Sequence, residues 1–156
     1  MRVLVVCDGN ICRSPLAAEY LRHRAPRSGL SHLIVTSGGL LDIVGRPAAP
    51  LACQVATEEG LDLSGHRSRG VSASEFRSSD LVLAMTLPQL DALAHRFPGA
   101  GPRVFLLRAF EAGPTPSGGA PNLEDPVTGP IEAFRDAFRL IRTSVDHLVL
   151  WLKHGA

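Results

Sequence analysis

The opening of the chain constrains its fold more than any other stretch. Met1 to Val6 is a short, mostly hydrophobic run in which half the residues are valine, and Cys-Asp-Gly-Asn-Ile-Cys-Arg-Ser follows at once, then Pro15 and a series of helix formers. An apolar run without alternation is what a strand buried on both faces requires. Ser14 is expected to cap the helix and Pro15 to take its first position, where a missing N–H has no partner to lose. The helix is expected to reach about Arg24 and to be closed by Pro26 and Gly29. The same alternation recurs downstream. Leu33 to Thr36 reads as a strand ended by Ser37-Gly38-Gly39, and Ala48 to Glu59 as a helix with Gly60 at its C-cap. Ser72 to Glu75 has the capping-box pattern of a short helix. Leu81 to Met85 is a third strand, Leu87 to Phe97 a helix, and Val104 to Leu107 a fourth strand. In the last segment Ile131, Phe134, Phe138, Ile141, Val145, Leu148 and Leu152 fall on one helical stripe, which reads as core. Strands alternating with helices predict an α/β fold: a doubly wound, four-stranded parallel sheet with helices on both faces, in one domain over residues 1–156.

Composition narrows the function classes. Of 156 residues, 45% are hydrophobic and 20% charged, and the net charge is +1, so the balance points to no nucleic-acid or membrane partner. The apolar opening is too short for a secretory segment or a membrane span, and the three cysteines are an odd number. A cytoplasmic protein with reduced thiols is expected. Between the fourth strand and the last helix lies EAGPTPSGGAPNLEDPVTGP, too long and too rich in Gly and Pro for a simple connection. It is either a functional loop or a flexible excursion.

Ligands of open α/β sheets bind where strands end and helices begin, and Cys7 is placed there. The loop Asp8 to Arg13 is expected to turn its backbone N–H groups toward the helix N-terminus and so to form an anion site. Gly9 and Asn10 both accept the left-handed backbone that such a turn needs. Arg13 adds a planar fork for two oxygens of a tetrahedral oxyanion, and these positive surroundings favour a thiolate at Cys7. The residues therefore predict a loop that binds a phosphoryl group and a Cys7 that attacks it. Asp8, Gly9, Asn10, Ile11, Cys12 and Ser14 form its substrate-binding cradle. Asp8 is out of character there, because a carboxylate near a phosphate costs Coulomb energy; it points either to solvent or to a cationic part of the substrate.

CDGNICRS, with Ser-Pro after the arginine, resembles the phosphate loop of the low-molecular-weight protein tyrosine phosphatases. The resemblance extends to Ser37-Gly-Gly, GLDLSGHR, DLVLAM and the late Asp125-Pro126. It implies Cys7 as nucleophile, Arg13 as clamp on the equatorial oxygens and Asp125 as general acid, with Ser14 hydrogen-bonding the thiolate. It implies that Asn10, Ser37 and His66 hold the loop in shape. Cys12 takes the place of the family's second loop cysteine, a redox partner able to form a reversible disulfide with Cys7. No cofactor and no metal is implied. A phosphotyrosyl protein, bacterial tyrosine kinases among them, is the implied partner. The chain departs from the family at the substrate slot, where Val127 and Thr128 follow Asp125-Pro126 in place of tyrosines. Leu41 and Ile43 provide aliphatic walls where an aromatic is usual.

Three alternatives remain at this level. The same chemistry can serve a small phosphorylated metabolite. Thiol-dependent arsenate reduction would need relay cysteines, and none lies between Val71 and Pro98. A non-catalytic phosphate-binding module would have no use for Cys7, Arg13 and Asp125 together. Cys7 and Cys12 as metal ligands lack the second close pair of a zinc site. Cys53 reads as a buried filler, and His23, His32, His95, His147 and His154 as surface residues.

Overall fold

The computed structural model describes residues 1–156. Four parallel strands, β1 (Arg2–Cys7), β2 (Ile34–Gly39), β3 (Leu81–Ala84) and β4 (Arg103–Leu106), form one sheet in the order β2-β1-β3-β4. Along the central strand β1, Val3, Val5 and Cys7 face one side and Leu4 and Val6 the other, and all are buried. The first side is covered by α1 (Arg13–Arg27), α2 (Pro50–Glu58) and α5 (Ile131–Lys153). The second is covered by α3 (Ala73–Ser78) and α4 (Leu87–Arg96), where Phe76 stacks on Phe97. The double winding expected from alternating periods is therefore present, and the unbroken apolar run of β1 follows from burial on both faces. The α5 stripe is core as expected, with Phe134, Phe138, Ile141, Val145 and Leu148 almost wholly buried. No helix is long and apolar enough to cross a membrane.

Several boundaries differ from expectation for local reasons. Helix α1 begins at Arg13 behind Cys12, and Ser14 makes no cap, because its hydroxyl is turned to other partners. The helix also continues through Pro26 to Arg27. A Schellman motif closes the helix immediately afterwards: Leu30 N–H donates to Ala25 O at 2.8 Å and Gly29, at φ 85°, takes the left-handed position. Helix α2 starts at Pro50 rather than Ala48, since proline at the first turn loses no bond, and Gly60 lies one residue beyond the Glu59 cap. Ser37-Gly38-Gly39 does not end β2 but belongs to it, with Gly38 opposite Val6 and Gly39 opposite Cys7. Cys53 is only half-buried, with Sγ 3.7 Å from Ala48 O. His147 is not a free surface residue, since its Nδ1 lies 2.8 Å from Phe110 O. His23 is also half-buried, its ring stacked on Tyr20.

Candidate active site

The turn out of β1 is built around one side chain. Asn10 is fully buried and has the chain's sole non-glycine positive φ, 57°. Gly9 is not in that region, so the left-handed step expected of either residue falls to Asn10 alone. Its Oδ1 accepts from Arg69 N–H at 3.2 Å, which orients the amide. Its Nδ2 then donates to Ser14 Oγ at 2.8 Å and to Ser37 Oγ at 3.0 Å. Because Ser14 Oγ accepts from Asn10, its own proton is free for Cys7 Sγ, 3.0 Å away. The His66 ring bonds Asn10 O through Nε2 at 2.7 Å, and since a carbonyl only accepts, Nε2 carries the hydrogen. Burial lowers the His66 pKa, the neighbouring Arg22, Arg67 and Arg69 push the same way, and the bond to Asn10 opposes them. Ser37 and His66 thus stand where loop-supporting residues are expected. The glycine at 39 has a steric reason: a Cβ there would lie 2.7 Å from Asp8 O.

Arg13 is the buried charge of the site, with its side chain 2% exposed. Nη1 donates to Leu123 O at 2.9 Å, Nη2 lies 3.3 Å from Asp8 Oδ2 and 3.4 Å from Asp125 Oδ2, and Nε has no partner in the protein. Asp125 arrives on the long loop, and its Oδ1 accepts from Val127 N–H at 3.1 Å in a local turn. The loop is pinned just before it. Leu123 is buried and donates N–H to Met85 O at 2.8 Å, at the end of β3. Asn122 Oδ1 accepts from Leu87 N–H at 2.8 Å, and Asn122 O accepts from Arg108 at 2.7 Å. Sequence reasoning missed Leu123, Asn122 and Arg108. The signal was a single leucine among Gly, Pro and acidic residues, which marks an anchor.

A cavity of about 280 Å³ opens over the sulfur. Cys7, Asp8, Gly9, Ile11, Cys12 and Arg13 line it from the cradle, Leu41 and Ile43 from the loop after β2, and Asp125 and Val127 from the long loop. Asn10 and Ser14, expected among the cradle residues, lie buried and are not part of its lining. Asp8 does not point away from the site but leans on Arg13. Burial pushes the Cys12 thiol up to about 12, negative charge at Asp125 and Cys7 adds to this, and Arg13 opposes it. All three cysteines are free.

A helix N-terminus and a buried guanidinium gathered beside a sulfur meet the needs of a nucleophile and of the oxyanion it attacks, and this defines a cysteine-dependent phosphatase. Comparison with known proteins agrees. The family described as low molecular weight phosphotyrosine protein phosphatase matches residues 2–155. A probable low molecular weight protein-tyrosine-phosphatase, EpsP of Ralstonia solanacearum, is 36% identical over 144 residues, covering 92% of this chain and 90% of its own. Among solved structures, the YwlE arginine phosphatase from Geobacillus stearothermophilus has a TM-score of 0.86 at 35% identity, covering 98% of this chain and 93% of its own. A YwlE C7S mutant with a phosphorylated active-site serine has a TM-score of 0.89 at 29% identity, covering 98% and 96% of the two chains. The chain belongs to the low molecular weight phosphotyrosine protein phosphatase family, whose members work through a cysteine phosphoenzyme.

Proposed function

We propose that this chain hydrolyses phosphotyrosine in proteins in two steps at Cys7. Sγ attacks phosphorus in line, the S–P bond forms and the P–O bond to the tyrosyl oxygen breaks, and Asp125 gives that oxygen its proton. Water then attacks the phosphocysteine, Asp125 takes a proton from it, and orthophosphate leaves with Sγ restored. Arg13 and the loop amides carry the charge of the transferring group in both steps, the electrostatic work that phosphoryl transfer chiefly needs. Ser14 donates to the sulfur when it is anionic.

One observation carries this reading: Arg13 is buried, yet its Nε–H is without a partner. Such a donor is costly unless a ligand oxygen satisfies it. A phosphoryl group above Cys7 supplies that oxygen. A tyrosine-phosphorylated protein, a bacterial tyrosine kinase being one candidate, is the proposed partner. The aliphatic lining of Ile11, Leu41, Ile43 and Val127 favours a second reading, a phosphorylated alkyl side chain or metabolite that does not depend on aromatic stacking.

The test is a steady-state comparison of a phosphotyrosyl peptide with a panel of alkyl and sugar phosphates, with Cys7→Ser as control. The peptide is expected to have the higher kcat/KM, and quenched turnover mixtures are expected to show phosphate on Cys7 by mass spectrometry. A higher kcat/KM for a metabolite, or turnover that survives Cys7→Ser, would reject the proposal.

A further inference from the structure

The cavity holds one carboxylate more than the proposed reaction uses. Asp125 serves the leaving group and Arg13 the phosphoryl oxygens, whereas Asp8 does neither. Its Oδ2 lies 3.3 Å from Arg13 Nη2, and its side chain is 53% exposed, so it borders the cavity mouth. A purely structural role is thin. The buried face of Arg13 is already fixed by Leu123 O at 2.9 Å, and an ion pair this open to water adds little. The charge count is also unfavourable to a plain phosphate. One cation, Arg13, and two carboxylates, Asp8 and Asp125, line the cavity, and the rest of the wall is aliphatic or thiol. A dianion that enters takes Arg13 for itself and leaves Asp8 beside it without a counter-charge. No other cationic side chain lines the cavity, so a positive group on the substrate is the partner left for Asp8.

We propose that Asp8 is a specificity-determining residue that selects phosphoryl substrates bearing a guanidinium or ammonium group next to the phosphate. The inference rests on the proposed phosphatase reaction and narrows its substrate class. In the free protein Asp8 leans on Arg13. When the phosphoryl group takes Arg13, Asp8 turns to the substrate cation, and one ion pair replaces another. Opposite charges interact strongly within about 4–6 Å, a span that two sources of cation can meet. The phosphorylated side chain can carry it, as in phosphoarginine, or a Lys or Arg beside phosphotyrosine can.

The experiment uses two phosphotyrosyl peptides that differ only in Lys or Glu after the phosphotyrosine, together with phosphoarginine. They are tested on the native chain and on Asp8→Asn and Asp8→Glu. The native protein is expected to prefer the Lys peptide by about fivefold in kcat/KM at low salt, the upper end for an exposed pair. The preference should fade toward 1 M salt, where screening acts within about 3 Å. Asp8→Glu should keep it, while Asp8→Asn should abolish it and speed hydrolysis of the Glu peptide. A selective loss on phosphoarginine alone assigns the cation to the phosphorylated side chain, and a selective loss on the Lys peptide alone assigns it to a neighbour. If Asp8→Asn slows all three substrates by one common factor, or changes none of them, Asp8 is a brace for Arg13 and the proposal is overturned. Calorimetric titration of the peptides into Cys7→Ser reads the same preference as affinity. A Lys preference there, without hydrolysis by the native chain, would reject the proposed function and leave the selection by Asp8 standing.

Discussion

Two loops meet over Cys7, and they are held in different ways. The cradle between β1 and α1 is short and braced from within: Asn10 alone bonds Ser14, Ser37, the Arg69 backbone and His66. The loop from Glu111 to Pro130 has no regular structure, is mostly exposed, and is pinned near Ser117, Asn122 and Leu123. Past Leu123 the polypeptide runs free to Asp125, whose carboxylate is 40% exposed. A nucleophile and its oxyanion donors have to be pre-set, because reorganising dipoles during the reaction costs rate. A proton donor has only to reach the leaving atom, and a loop with one firm anchor suffices. The cradle therefore couples rate to stability, whereas the tip of the long loop does not.

Asp125→Asn should produce the largest split between the two regions. Removing a general acid costs roughly 10²–10⁴-fold in kcat on a poor leaving group, and less on an acidic phenol. Its exposed carboxylate predicts little change in Tm. An equal loss on both leaving groups would argue against Asp125 as proton donor, and a large fall in Tm would erase the contrast between the loops.

Asn10→Ala should do the opposite and lower both. It leaves Ser37 and the Arg69 amide without their Asn10 partner, takes one of two bonds from Ser14 and puts alanine in a left-handed backbone, for about 2–4 kcal/mol of stability. Urea unfolding should show it, together with a fall in kcat. Asn10→Gly, which relieves the backbone but not the hydrogen bonds, should recover only part. If it recovers everything, the side-chain network is dispensable.

Leu123→Ala tests the anchor. Truncating a buried leucine costs about 2–5 kcal/mol, and the packing that holds the residue 123 carbonyl against Arg13 is loosened, so kcat should fall with stability although Leu123 touches no substrate. Cys12 should resist alkylation at neutral pH in the native state, since its thiol stays protonated up to about 12. Rapid labelling there would mean that the cradle opens.

The smallest effect is expected at His66. Its folded pKa lies below the unfolded value of about 6.5. The unfolded chain therefore binds the proton first as pH falls. His66 costs no stability above about pH 6.5, and stability is lost below it until the folded ring also titrates. His66→Gln should flatten that acid limb in a Tm–pH profile, and an unchanged limb would place the titration elsewhere.

Most of the fold was legible because it rests on period and punctuation. The both-faces-buried run of β1, the α5 stripe and the glycines after α1 and α2 act through local geometry, and local geometry is written in neighbouring residues. Cys7 and Arg13 stood out by the chemistry of one loop, whereas the part given to Asp125 came from the family resemblance; the structure brings all three to one cavity. What neighbouring residues left open was the choice among possible partners. Ser14 has the composition of a cap, yet its hydroxyl bonds Asn10 and Cys7, the second contact being the one the resemblance implies. Gly38 and Gly39 look like a stop, yet they continue the strand, where a Cβ would meet the Val71 side chain at Gly38 and the Asp8 carbonyl at Gly39.

From residues alone came an α/β chain with a phosphate cradle after its first strand, because strand period, helix period and loop chemistry are short-range properties. Tertiary structure decided that Leu123 anchors the acid loop, that Arg13 sits between two carboxylates, and that Asp8 faces the cavity. Each of these depends on segments about a hundred residues apart, or on opposite ends of a turn, meeting at 2.9 to 3.4 Å. No local pattern encodes which carbonyl or carboxylate a buried guanidinium will find.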